Sequence, residues 1–229
     1  MPALTFYRGN GACSFGLHVL LRELNLPFNT VLMKYDPATS WSAADGSLTN
    51  EAYRKIHPAG YVPCLVADGQ TITENPAIFT YVALLAPPER SDSLLGASSS
   101  SSPLSRARVV EWMTWLSGSL HGYGYGMFFK PARFSDDVSQ HEIIRERGAG
   151  LIRAAYDRIE GHLEGRDFFV GDAETTVDYY ATIFWYWGRK YGFEAKEKYP
   201  NYTRLVARME QKASLRAAAE EEGVPLSTA

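Results

Sequence analysis

HPAGYVPCLVADGQTITENPAIFTYVALLA, residues His57–Ala86, reads as turn, strand, hairpin, strand and helix. Pro58 and Gly60 mark the turn. Pro63 lacks a backbone N–H and biases Val62 towards extended geometry. Cys64–Ala67 is an apolar run of strand length. Asp68-Gly69 is a two-residue hairpin signal, after which Gln70–Thr73 returns. Glu74-Asn75-Pro76-Ala77 predicts a helix start, with Asn75 as N-cap and Pro76 at the first helical position. Ile78, Tyr81, Val82 and Leu85 then recur at helical spacing.

Two features of this stretch go beyond architecture. A cis Val62–Pro63 bond would turn the Val62 N–H and C=O outward for an extended ligand to pair with, although X–Pro bonds in folded proteins are about 95% trans. The helix N-terminus favours a carboxylate, while Glu74 beside it favours an ammonium group. Together they suit an α-amino acid terminus. An ordinary cap with a surface glutamate is the other reading.

Composition narrows the class. The 229 residues suffice for one large domain or two small ones, and 45% hydrophobic content allows a sizeable core. A net charge of −3 argues against a general nucleic-acid surface, which needs a basic stripe. No apolar run is long enough to span a bilayer, and no signal-peptide pattern opens the chain. The two cysteines, Cys13 and Cys64, make no disulfide framework, so a reducing, cytoplasmic setting is expected.

Taken in order, Ala3–Tyr7 predicts a strand and Arg8–Gly11 a turn. Ala12–Ser14 opens a helix with Leu17, Leu20, Leu21 and Leu24 on its apolar face, and Phe28–Met33 is the next strand. Asp36–Asn50 reads as an irregular excursion and Glu51–Ile56 as a short helix. With the quoted stretch, the order is an α/β unit ending near residue 86, a sheet covered by helices. Residues 87–103 read as a flexible linker ending in the serine run Ser98–Ser102. From Leu104 the period is helical. Gly122–Gly126 (GYGYG) is expected to break the first of these helices. Val138–Leu163 predicts a long helix, and Thr175–Tyr191 an almost wholly apolar, central one capped by Thr175 with Asp178. Residues 104–229 thus read as all-α.

The quoted stretch resembles the glutathione-binding half of the glutathione S-transferase superfamily. GACS at Gly11–Ser14, HPAGYVP at His57–Pro63 and TENPAI at Thr73–Ile78 are most similar to its bacterial-type, cysteine-bearing (beta-like) members. So are EWMTWLSGSLHGY at Glu111–Tyr123 and FFVGDAETTVDYYATIFW at Phe168–Trp185. The departures are a first loop one residue longer, His57, and Asn75 where serine is common. The resemblance implies a thioredoxin-like domain over residues 1–86, a linker over 87–103 and an all-helical substrate-binding domain over 104–229. It implies glutathione as co-substrate, no metal, a small apolar second substrate, a role in detoxification and a homodimer.

Site residues follow from the pattern and the resemblance together. Val62, Pro63, Glu74 and Asn75 are expected to hold glutathione, with His121 approaching it and Lys34 a candidate for its glycine carboxylate. At position 122 the family often carries a basic residue; here it is glycine. Cys13, at the expected helix N-terminus, should have its pKa lowered below the free value of about 8.5 and face the glutathione sulfur. Ser14 is its rival as catalytic residue. Tyr7 reads better as strand core, and Cys64 as a buried, inert thiol. Trp115, Tyr123, Tyr125 and Phe128 are expected to wall the second-substrate pocket, with Phe129 a further candidate and Trp112 better read as core. The expected activity is conjugation or thiol exchange at an activated glutathione thiol. The alternatives are a glutathione-dependent isomerase and a non-catalytic binding protein on the same fold.

Overall fold

β1 (Leu4–Gly9) is the middle strand of a five-stranded sheet in the order β3-β2-β1-β4-β5. The computed structural model describes residues 1–97, 103–193 and 195–227; the Ser98–Ser102 run lies outside them. β1 pairs parallel with β2 (Phe28–Asp36) and antiparallel with β4 (Cys64–Ala67), which turns through Asp68-Gly69 into β5 (Gln70–Ile72). Period-two alternation sorts the side chains onto two faces. Leu4, Phe6, Leu65 and Ala67 join the main core with α1 (Phe15–Glu23) and α3 (Asn75–Leu84). Met33, Val62 and Cys64 form a smaller core with Tyr53 of α2 (Asn50–Arg54). This sheet domain is thioredoxin-like, and a helical domain follows it. The Val62–Pro63 bond is cis.

The structure corrects the sequence reading at four places. First, the Asp36–Asn50 excursion contains a strand, β3 (Ser40–Ala43), paired antiparallel with the end of β2. Trp41 rests on Tyr35 with ring centres 5.5 Å apart, and that packing outweighs the turn-rich composition. Second, α3 begins one residue early: Glu74 is the N-cap, at φ 67°, so Asn75 is the first helical residue. Third, Pro88–Leu94 of the expected linker forms a helix, α4, with Leu94 buried. Fourth, GYGYG does not break its helix. α5 (Pro103–Trp115) runs into a π-helical segment, Leu116–Tyr125, and then into α6 (Gly126–Phe129). The glycines there serve packing. A Cβ on Gly148 of α7 (His141–His162) would lie 2.8 Å from the Gly124 carbonyl oxygen, so only small residues let the two backbones approach.

α8 (Thr176–Lys190) is the axis of the helical domain, buried continuously from Thr176 to Gly188. The Thr175–Asp178 capping box starts it. The buried Asp178 carboxylate accepts the Thr175 N–H (2.7 Å), the Thr175 hydroxyl (2.9 Å) and the Phe169 N–H (2.9 Å). After the short α9 (Ala195–Lys198), α10 (Pro200–Met209) packs on α8, and α11 (Ala213–Glu222) returns to the sheet domain against α1. No described helix is long and apolar enough to cross a membrane.

Candidate functional site

Between the sheet domain and the helical domain lies a cleft of about 360 Å3. Its floor is built by three turns of the sheet domain. The β1–α1 loop brings Cys13, the segment before β4 brings Val62 and Pro63, and the entry to α3 brings Glu74 and Asn75. The facing wall is helical: Ser117, His121 and Tyr125 come from the π-helical segment, Phe129 from α6 and Trp187 from α8. Trp41, His57, Tyr61, Lys130 and Arg133 stand around the mouth. The lining draws on segments from Ala12 at one end of the sequence to Trp187 at the other.

Cys13 is where the structure departs most from expectation. The helix begins at Phe15, so Cys13 precedes its cap, Ser14, and is only 6% exposed. Its Sγ–H donates to the Val62 carbonyl at 3.2 Å. Burial pushes its thiol up to about 12, against smaller opposing effects of Asn75 and Lys130. Desolvation therefore overrules the helix N-terminus, and the expected lowering is reversed. Ser14 does not reach the cleft. Its hydroxyl donates to the Gly9 carbonyl and accepts the Gly9 N–H, both at 3.2 Å, so it closes the loop that carries Cys13. Tyr7 packs on Tyr53, as strand core should. Cys64 is buried with its thiol pushed up to about 11.

Two buried polar atoms of cleft-lining residues have no hydrogen-bond partner among the described residues: Asn75 Oδ1 and His57 Nδ1. Such atoms are costly unless a ligand or water satisfies them. Asn75 Nδ2 donates to the Tyr180 hydroxyl at 3.4 Å. The Val62 N–H likewise takes no partner among the described residues. Glu74, exposed beside these groups, supplies a negative charge from a left-handed backbone position that non-glycine residues adopt at a cost.

The opposite charge comes from Lys130 and Arg133. Lys34, the expected cation, is exposed on β2 and does not line the cleft. Lys130 Nζ instead stands 3.9 Å over the Tyr35 ring, and burial beside Arg133 lowers its pKa to about 8. Burial and the same two cations hold His121 down at about 4, so its imidazole is neutral.

The expected second pocket is also redrawn. Of Trp115, Tyr123, Tyr125 and Phe128, only Tyr125 lines the cleft, and it is fully buried. Its hydroxyl lies 2.6 Å from that of Tyr156. Trp115 packs on Trp112 and under Arg158; Tyr123 faces solvent; Phe128 packs on Phe193. The apolar wall is instead Tyr125, Phe129 and Trp187, whose rings meet at 4.8–5.5 Å. Trp187 belongs to a helix whose uniform apolarity gave no sign of a cleft. Lys130 and Arg133, bracketing a proline, carried the one available signal, a basic pair at a turn.

Among the described residues no group of three or more His, Cys, Asp or Glu side chains could hold a metal ion.

Two family models match the chain. Residues 11–85 match the glutathione S-transferase N-terminal domain and residues 122–213 the glutathione S-transferase C-terminal domain. The chain is 30% identical to a glutathione S-transferase of Xanthomonas campestris pv. campestris, over 96% of this chain and 100% of that one. Among solved structures, it is similar to a beta-class glutathione S-transferase of Sphingomonas chungbukensis (26% identity, TM-score 0.78, 96% and 100% covered). It is equally similar to a sphingomonad glutathione S-transferase complexed with glutathione (27%, 0.78, 96% and 100%).

Proposed function

The chain belongs to the glutathione S-transferase family, and on that premise we propose that it conjugates glutathione to an electrophile in the cleft between its two domains. The observation that carries this reading is the set of unsatisfied groups on the cleft floor. Asn75 Oδ1, His57 Nδ1 and the Val62 N–H await partners beside the α3 N-terminus and Glu74. An extended peptide with an α-amino acid terminus supplies them. Glu74 pairs with its ammonium, which also donates to Asn75 Oδ1; Asn75 Nδ2 and the first turn of α3 donate to its carboxylate, and Val62 pairs with its backbone. Lys130 takes the glycine carboxylate, in place of Lys34. Residues 1–86 form the glutathione half in this reading, and residues 104–229 the half that receives the second substrate.

Cys13 then acts as a protonated thiol. A group with pKa about 12 stays S–H at neutral pH; with glutathione bound it turns from the Val62 carbonyl, which then accepts from the peptide backbone, and donates to the glutathione sulfur, stabilising it as thiolate. The thiolate attacks the electrophilic carbon; a carbon–sulfur bond forms and the leaving group departs with its electron pair. The released thiol proton goes to solvent. Thiol exchange through Cys13 is disfavoured by the same burial, because exchange needs the thiolate. The reading includes a cytoplasmic homodimer; exposed Leu84, Leu104 and Val110 are apolar surface for such an interface.

The test is turnover of 1-chloro-2,4-dinitrobenzene with glutathione, alongside calorimetry of glutathione binding. Glu74→Ala should weaken binding by about 1.5–3 kcal/mol, the scale of a hydrogen bond to a charged group. Unchanged affinity would reject the ammonium site. Binding without turnover would turn the reading to a non-catalytic binding protein.

A further inference from the structure

Beyond Tyr61 and Phe129 the cleft opens into a second groove of about 430 Å3. One side carries Arg54 of α2; the other carries Lys130, Arg133, His141 and Arg145. No aspartate or glutamate lines it. The chain as a whole has a net charge of −3, so this concentration of cations is not a consequence of composition.

The cations are also poorly neutralised. Among the described residues, Arg54, Lys130 and Arg133 reach no carboxylate at ion-pair distance. Lys130 and Arg133 lie over aromatic faces, at 3.9 Å from the Tyr35 ring centre and 4.6 Å from that of Tyr61. Arg145 meets Glu142 only at 3.7 Å, on the exposed surface of its own helix. The His141 Nε2 faces the Ser135 carbonyl at 2.9 Å. Asp137 accepts the Ser139 N–H (2.9 Å) and hydroxyl (2.7 Å) and interacts electrostatically with His141, so of these cationic side chains His141 is the one that it faces. Like charges gathered together repel: the downward shift of Lys130 comes first from burial and then from the repulsion of Arg133. Glutathione's glycine carboxylate neutralises one of these charges and leaves the outer ones open.

We propose that the second substrate is an anionic electrophile, whose carboxylate, sulfonate or phosphate arm lies in the groove between Arg54 and Arg145. Its reactive carbon then rests on the Phe129–Trp187 wall beside the glutathione sulfur. This rests on the conjugation reading above, and it replaces the wholly apolar second substrate expected from the sequence. For an aryl chloride, the thiolate forms the carbon–sulfur bond, chloride leaves with the bonding pair, and the anionic arm is unchanged.

The test compares 4-chloro-3,5-dinitrobenzoate with its methyl ester, each as the acceleration of kcat/KM over the uncatalysed rate with glutathione. The acid should be accelerated about tenfold more at low ionic strength, and the advantage should shrink as salt is raised. The double variant Arg54→Gln/Arg145→Gln, at two exposed positions, should abolish the advantage while leaving the ester rate and the KM for glutathione unchanged. Equal acceleration of acid and ester would overturn the proposal. So would a rise in the glutathione KM of the same size, which would give the groove to glutathione's own carboxylates. Calorimetry with unreactive 3,5-dinitrobenzoate separates the two failures. If nothing turns over but the analogue binds to the wild type and not to the double variant, conjugation falls and the anion subsite stands. No binding removes the subsite.

Discussion

Glu222, in the last turn of α11, offers the sharpest test of how the helical domain holds the loop that carries Cys13. Its side chain is fully buried against the sheet domain. Oε2 accepts the Gly11 N–H at 2.9 Å; Oε1 lies 2.8 Å from His18 Nδ1 and 3.6 Å from an Arg8 guanidinium nitrogen. From the other side, Trp187 Nε1 donates to the Gly11 carbonyl at 2.8 Å. The Gly11 peptide is thus clamped by two helices of the other domain. Glu222→Ala leaves a half-buried Gly11 N–H and a buried histidine nitrogen without partners, a loss of about 1–3 kcal/mol at the histidine and less at Gly11. It also removes one of the two carboxylates beside Arg8, which keeps Glu221. Because these losses share one site they do not add fully. The expected destabilisation is about 3–5 kcal/mol, the scale of breaking a buried pair. Glu222→Gln keeps the acceptor for Gly11 and loses only the charge, so about half that loss is expected. The assay is urea denaturation followed by tryptophan fluorescence and far-ultraviolet circular dichroism together, since coincident curves are needed before a midpoint is read as a free energy. If Glu222→Ala stays within about 0.5 kcal/mol of wild type, the clamp does not exist. A loosened loop should also raise the KM for glutathione, because Cys13 and Val62 would no longer be held together.

Two further outcomes are expected. In native protein at pH 8 a thiol at about 12 is about one part in ten thousand thiolate, so iodoacetamide should leave Cys13 unlabelled, and Cys64 with it. Unfolding should expose both to labelling, and mass spectrometry showing Cys13 modified in the native state would contradict its burial. At Gly16 an added Cβ would lie 2.4 Å from the Tyr179 carbonyl oxygen, and α8 cannot swing aside as a side chain would. Gly16→Ala should therefore cost about 1–3 kcal/mol or more, whereas Gly118→Ala, which meets nothing within 4 Å, should shift the thermal midpoint little. Equal midpoints for the two variants would mean that α1 and α8 are not in backbone contact.

What the sequence determined by itself is what short-range rules decide. Asp68-Gly69 turns because both residues adopt positive φ, 47° and 77°, which a two-residue hairpin requires. Thr175 and Asp178 start α8 because their polar groups satisfy helix-end donors three residues apart. The strand, hairpin and helix of His57–Ala86, and the change to helical period after it, were legible for the same reason. The tertiary structure decided everything that depends on desolvation or on charges brought from afar. The sequence places Cys13 near a helix start, yet in the fold it is buried against Val62, about fifty positions away, and that burial reverses the sign of its shift against a smaller opposing hydrogen bond from Asn75. Lys34 and Lys130 are equal as letters; only the folding of α6 over Tyr35 puts Lys130 at the cleft and leaves Lys34 outside. Tyr125 stands among glycines in the sequence; those glycines let α7 close on it, and Tyr156 meets its hydroxyl in the core. Local preference acts over one turn of chain, whereas burial and Coulomb energy act through space, so the elements were fixed early and the chemistry of the site only when they packed.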